Sequence, residues 1–204
     1  MKKLITLFLS ISIFISLVAF TNDKGLTQNQ NDEKQKSQIV WTGSKLSGSM
    51  HTGTIKVKDN MLEIVDGEVK GGSITIDMTT IINTDLEGKW NEKLVNHLKD
   101  ADFFDVEKYP LSTIKIKSVK EGEYRHKYIA VADITIRDIT LEKEFEFEKV
   151  EIEGGYKFRA TIDIDRTKFG VKYKSGNFFK DLGDKAIDDM FSLNVLLSYE
   201  GVGE

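Results

Sequence analysis

No cysteine occurs anywhere in the 204 residues, which removes disulfides, thiolate metal sites, a catalytic thiol and any thioether-linked lipid anchor. Proline is nearly as scarce, with Pro110 alone. Proline withholds a ladder hydrogen bond, so its scarcity beside 16 glycines suits a long run of strands joined by tight turns. A basic excess is missing too: 29 Lys and Arg stand against 33 Asp and Glu, a formal charge of -4. With no basic block in the chain, a nucleic-acid partner is not expected. Histidine is confined to His51, His97 and His126. These are far apart in sequence, form no His-x-x-x-His pair and are accompanied by no Gly-x-Ser-x-Gly elbow, so a hydrolase or metal enzyme is the rival reading whose residues are hardest to find.

What is present describes one ordinary globular domain. Hydrophobic residues make up 40% and charged residues 30%, and 204 residues are enough for a single core. The first twenty residues have the pattern of an export signal, with Lys2 and Lys3 ahead of the uncharged stretch Leu4 to Phe20. Thr6, Ser10, Ser12 and Ser16 interrupt that stretch, which also falls short of the roughly twenty apolar residues a membrane span needs. We expect residues 1–20 to be removed, giving a periplasmic or secreted protein with no stable span; retention as an anchor is the alternative. Leu17-Val18-Ala19 looks like the start of a lipoprotein signal, but Phe20 follows where a thiol would be required. Loss of Lys2 and Lys3 would leave 27 cations against 33 carboxylates.

Residues 21–38 carry hardly any apolar residue and cannot repay their ordering entropy, so they read as a flexible tether. From Ile39 onward the dominant period is two. It shows in Thr54-Ile55-Lys56-Val57-Lys58, Ser73 to Met78, Thr113 to Lys117, Ala132 to Arg137, Glu144 to Glu148 and Phe158 to Asp165, as half-buried strands require. Asp66-Gly67, Glu121-Gly122 and Gly154-Gly155 mark hairpin turns between them. One stretch breaks the period: Asn91 to Asp100 sets Leu94, Val95 and Leu98 on a helical face. A weaker helical turn is expected over Asp184–Asp188, before a last strand Phe191–Leu197. About eight alternating strands with one apolar face and a single short helix in a crossover loop predict an all-β, antiparallel barrel, because closure covers the face and removes the edges. Its interior is either filled by side chains or wide enough for one small ligand.

Several stretches, taken in order, resemble the YceI family of exported bacterial proteins. They are Trp41 to Lys45 with His51-Thr52-Gly53, Gly71 to Met78, Leu94 to Pro110, Asp133 to Thr140, Ile164 to Gly170, and Ile187-Asp188-Asp189 up to Leu197. The likeness runs from Ile39 to Glu200 and departs from the commoner pattern at Arg137-Asp138, usually Lys-Gly, and at Phe169, often Trp. It implies a lipocalin-like barrel over residues 39–204 holding a polyisoprenoid or related amphiphile, such as a quinone or fatty amide, without catalysis and with no cofactor or metal beyond that noncovalent lipid. An interaction module with a filled core, including a homodimer, is the alternative.

The apolar parity of each strand nominates the lining. On the third strand it selects Ile74, Ile76 and Met78; on the fourth, Ile114 and Ile116; on the fifth, Ile134 and Ile136. Later strands add Phe145, Phe147, Phe158, Ile162, Leu193 and Val195. Trp41 is a candidate for stacking on the ligand or plugging a barrel end, and Phe103 and Phe104 for a lid or for helix packing. A wall of this composition offers a ligand no charge, so the mouth would set selectivity. Lys45 and His51, near the first hairpin, are candidate head-group contacts or simply exposed. Asp165-Arg166 is expected to form an ion pair that fixes the following loop.

Overall fold

A computed structural model describes residues 37–200. The leader at 1–20 lies outside the described residues, as does all of the 21–38 tether except Ser37 and Gln38. Strands run in chain order as β1 (Gln38–Lys45), β2 (Met50–Val65), β3 (Glu68–Asn83), β4 (Leu111–Glu121), β5 (Lys127–Ile136), β6 (Ile139–Ile152), β7 (Gly155–Asp165) and β8 (Ile187–Glu200). Each pairs antiparallel with the next, and β8 returns to β1, closing an eight-stranded meander. The tether therefore yields one residue to the barrel: Gln38 already pairs with Lys56 and Leu196.

The alternation dictates the faces. Ile134 and Ile136 point inward from β5 while Asp133 and Thr135 point out, and Ile114 meets Ile134 across the β4–β5 ladder. Register shifts in β2–β3 at Thr54/Lys56, Val57/Asp59 and Glu63/Ile64 let these two long strands bend around the barrel. Gly53 is required by close approach: a Cβ there would lie 1.9 Å from the Ile82 carbonyl oxygen and 2.6 Å from the Trp41 ring. Trp41, its cross-strand partner, lies over the bare backbone and donates its indole N–H to Ile82 O at 3.0 Å.

The predicted turns are present with small changes. Asp66-Gly67 joins β2 to β3, whereas Glu153-Gly154 makes the β6–β7 turn and Gly155 already belongs to β7. Arg137-Asp138 forms the two-residue β5–β6 turn with Arg137 in the left-handed region (φ 59). Its guanidinium donates to Gly170 O at 3.2 Å and lies 3.9 Å from Asp105. The helix, expected at 91–100, is α1 (Gly88–Lys99). It starts earlier because Asn91 anchors the entry turn, donating to Asn83 O at 2.9 Å and Leu86 O at 2.8 Å. The second helical turn spans only Gly183–Lys185, since from Ile187 the chain is recruited into β8 by pairing with Lys45 of β1. That strand runs to Glu200, longer at both ends than the alternation suggested.

Candidate functional site

The barrel interior divides into two halves of opposite character. At the end closed by the β2–β3, β4–β5 and β6–β7 turns, side chains fill the tube. Phe147 stands 6.2 Å from Phe158 between ring centroids and 5.3 Å from Tyr128, with which it stacks. Lys149, inward by the same parity as Phe145 and Phe147, places its ammonium over the Tyr128 and Tyr156 rings at 5.5 and 5.0 Å and donates to Gly67 O. Only about 40 Å³ stays open there, bordered by Ile74, Ile116, Phe145, Phe147, Phe158, Ile162 and Val195. These seven nominated residues therefore surround the packed half. An inward lysine also corrects the expectation of a wholly uncharged interior.

The other half is open, with a cavity of about 700 Å³. Its wall takes Trp41 from β1, Ile76 and Met78 from β3, Ile114 from β4, Ile134 and Ile136 from β5, and Leu193 from β8. Ile114 borders both spaces and so marks the partition. From Ile39 to Lys45 along β1, a rise of about 3.3 Å per residue at a tilt near 40° makes the cavity roughly 15 Å deep. Gly43 points inward between Trp41 and Lys45, and nothing lies within 4 Å of where its Cβ would be. Part of the space exists because that side chain is missing.

Helix α1 roofs this half. Trp90, Leu94, His97 and Leu98 recur at helical spacing on the cavity side, so the apolar stripe that fixed the helix also lines the site. Phe103 and Phe104 follow, both buried, edge-on to each other at 5.0 Å, and Phe104 reaches Phe191 of β8 at 6.2 Å. They pack the helix and border the cavity at once. Ile39, Ile55, Ile81, Leu98 and Phe191 also line it without having been nominated. Strand parity pointed to Ile39, Ile55 and Phe191; Ile81 lies beyond the β2–β3 irregularity, where parity is no guide.

Polar groups gather at the mouth. His51 and His97, far apart in sequence, both border the cavity, while His126 sits in the β4–β5 loop at the packed end. His51 Nδ1 meets Asp85 at 2.8 Å. Burial raises the Asp85 carboxyl pKa, but hydrogen bonds from His51, the Thr52 amide and Asn83 together hold it below the usual carboxylate range. His97 lies 3.6 Å from Asp102, edge-on to Phe103 and Tyr173. His97, Asp100 and Asp102 bring potential ligand atoms within 4.8 Å of one another, both carboxylates being exposed. Lys45, Lys93 and Lys174 also border the opening.

Arg166 does fix its loop, but not through Asp165. It is only 2% exposed and donates to the carbonyls of Val171, Tyr173, Ile187 and Asp188 at 2.8 to 3.0 Å, with Asp189 at 3.2 Å as its ion partner. Burial lowers the guanidinium pKa, opposed by Asp189, Asp165 and Asp188, yet an arginine stays charged. Asp165 instead caps the following turn, accepting from Thr167 N at 3.0 Å and Thr167 Oγ1 at 2.6 Å. Among the described residues no helix is long and apolar enough to cross a membrane.

Residues 31–199 match the model of the YceI-like domain. A UPF0312 protein of Photorhabdus laumondii is 36% identical over 113 residues, 53% of this chain and 53% of that relative, so the match spans about half of its length. Among solved structures, BcnA of Burkholderia cenocepacia superimposes with a TM-score of 0.61 at 15% identity, covering 80% of this chain and 96% of that one. A polyisoprenoid binding domain from Saccharophagus degradans, implicated in plant cell wall breakdown, gives 0.58 at 12% identity, covering 81% and 94%.

Proposed function

Because the chain belongs to the YceI-like domain family, we propose that its barrel binds one long-chain apolar or amphiphilic molecule in the open half, as a carrier, store or sensor rather than an enzyme. The observation that carries this reading is the cavity of about 700 Å³ walled by Ile76, Met78, Ile114, Ile134, Ile136 and Leu193. Its volume lies inside the range of about 300 to 1,000 Å³ typical of small-molecule sites. The apolar walls of a space of this size offer dispersion contacts along the whole length of an alkyl chain. The partition at Ile114 sets a limit on length: the chain enters tail first, stops at the packed half, and leaves its head among Lys45, His51 and Lys93. A polyisoprenoid, a quinone or a fatty amide meets these terms, and the domain from Saccharophagus degradans, a polyisoprenoid binding domain, shares the fold. Burying a few hundred Å² of alkyl surface at about 25 cal/mol/Å² gives several kcal/mol before ordering costs, enough for micromolar binding.

In this reading the leader at 1–20 exports the protein, and the barrel works in the periplasm or outside the cell. Native mass spectrometry of the protein purified from a bacterial envelope without detergent tests the binding. A noncovalent lipid adduct is expected. A bare mass, together with no uptake of a fluorescent isoprenoid by the purified barrel, would sink the proposal.

A further inference from the structure

The rim around the cavity is built unlike the rest of the barrel surface. Among the described residues, half of the large exposed apolar side chains crowd this end: Leu46 and Met50 on the β1–β2 hairpin, Trp90 in the first turn of α1, Phe178 and Phe179 in the β7–β8 connection, and Met190. Leu46 donates its amide to Ala186 O at 3.0 Å, so the hairpin and the connection form one continuous edge. The amides of Phe178 and Phe179 both bond Ser175 O, at 3.1 and 3.0 Å, and both side chains are exposed.

Lysines alternate with these side chains. Lys93 lies 5.7 Å from the Trp90 ring and Lys172 lies 4.7 Å from Phe178. Residues 45–50, 87–93 and 172–185 together hold seven lysines against four carboxylates. The turns at the packed end, residues 65–70, 121–127 and 151–155, hold six carboxylates against three Lys and Arg. The three segments that carry exposed apolar side chains thus have a local excess of lysine in a chain of net charge -4. Of the carboxylates beside these segments, Asp85 meets His51, Asp102 lies against His97, Asp105 faces Arg137 and Asp189 pairs with Arg166, while Asp100 and Asp188 border the mouth.

We propose that this rim docks on the surface of a bilayer containing anionic lipid, with the cavity mouth facing the membrane. Aromatic and aliphatic side chains interleaved with lysines match the two layers of such a surface: rings sit at head-group depth while ammonium groups reach the phosphates. A water-soluble partner protein would be matched by a flatter apolar patch with fewer lysines, since lysine is depleted from protein interfaces. The docking reading rests on the cavity holding a lipid. It adds that the ligand passes between membrane and barrel without crossing open water.

The test uses the full chain and vesicles of phosphatidylglycerol and phosphatidylcholine with brominated acyl chains. The apolar run Leu4 to Phe20 can hold the chain on a vesicle by itself, so the readout is the depth of Trp90 rather than sedimentation. The only other tryptophan, Trp41, is 7% exposed against 70% for Trp90, and a Trp90→Phe control assigns the signal. Quenching of Trp90 is expected, falling at least about threefold in Phe178→Asp with Phe179→Asp and again in Lys172→Glu with Lys180→Glu. None of these four side chains borders the cavity, so both variants should still take up a fluorescent isoprenoid dispersed from ethanol without vesicles. That second assay separates the two ideas: lost uptake with intact quenching counts against the cavity, not the rim. Trp90 unquenched in the parent, or quenched equally on purely zwitterionic vesicles in high salt, overturns the docking proposal. Quenching unchanged in both variants overturns it too.

Discussion

Gly43→Phe is the sharpest test of an open barrel. The position faces inward from β1, borders the cavity, and has no atom within 4 Å of the Cβ it lacks. Its φ is not in the left-handed region, so a side chain is tolerated by the backbone. A phenyl group there occupies wall that a ligand would otherwise cover. A phenylalanine takes up about 150 Å² or more when buried, and at about 25 cal/mol/Å² that forfeits about 4 kcal/mol, close to three decades in Kd. A flexible chain recovers part of this by shifting, so the expected loss is at least about tenfold. Stability should move the other way. Replacing a strand glycine gains about 0.5 to 1 kcal/mol, and partial burial of the ring adds to it, which for a domain of this size raises Tm by about 2 to 4 °C per kcal/mol. The assay is titration with a fluorescent isoprenoid alongside thermal unfolding. Weaker binding with equal or higher Tm identifies a filled cavity. A folded Gly43→Phe protein that binds as tightly as the parent would refute the reasoning, because the ligand then sits elsewhere.

Phe158→Ala makes the opposite cut: it opens the packed half, should cost about 3 to 5 kcal/mol in denaturant unfolding, and should leave isoprenoid affinity within a few-fold, since Phe158 does not border the large cavity. Arg166→Met strips four carbonyls and Asp189 of their donor; a loss of about 3 to 5 kcal/mol is expected, with hydrogen exchange rising first over residues 166–189, and Arg166→Lys should restore little because one ammonium cannot span the same partners. For pH, the folded Asp85 carboxyl is held below its unfolded value, so its contribution is complete above about pH 4 and is lost as pH falls through the depressed value. Asp85→Asn should flatten that part of the stability curve in a pH series of urea titrations, and an unchanged acid limb would show that the His51–Asp85 contact contributes nothing.

Much of the fold was legible because strand parity is local. Six quoted alternations and three glycine turns placed most of the ladder, and the order of motifs pointed to the barrel family. The misses have physical causes. The 187–190 start of β8 carries two adjacent aspartates and reads as a turn, yet it becomes strand because β1 offers a free edge at Lys45. Lys149 shares the parity of Phe145 and Phe147, but a charged side chain turns inward only where partners await it, and its two tyrosine rings and a carbonyl come from other strands and a distant turn. Arg166 pairs with Asp189 rather than with its neighbour Asp165, because Asp165 is taken up by Thr167 and only the fold returns Asp189 to it.

By itself, then, the amino-acid order determined which side of each strand is apolar, where the chain turns, and that one helix interrupts the meander. It did not determine where the tube is full. Parity is the same for Ile134, above the partition, and Phe158, below it, whereas the volume of the cavity is a sum over residues from six strands and the roof. Rings from β5, β6 and β7 meet beside Lys149 and close one half; a missing side chain at Gly43 and a wall that α1 roofs rather than fills leave the other open. No window of sequence contains both ends of such a distance, so only the tertiary structure decides it.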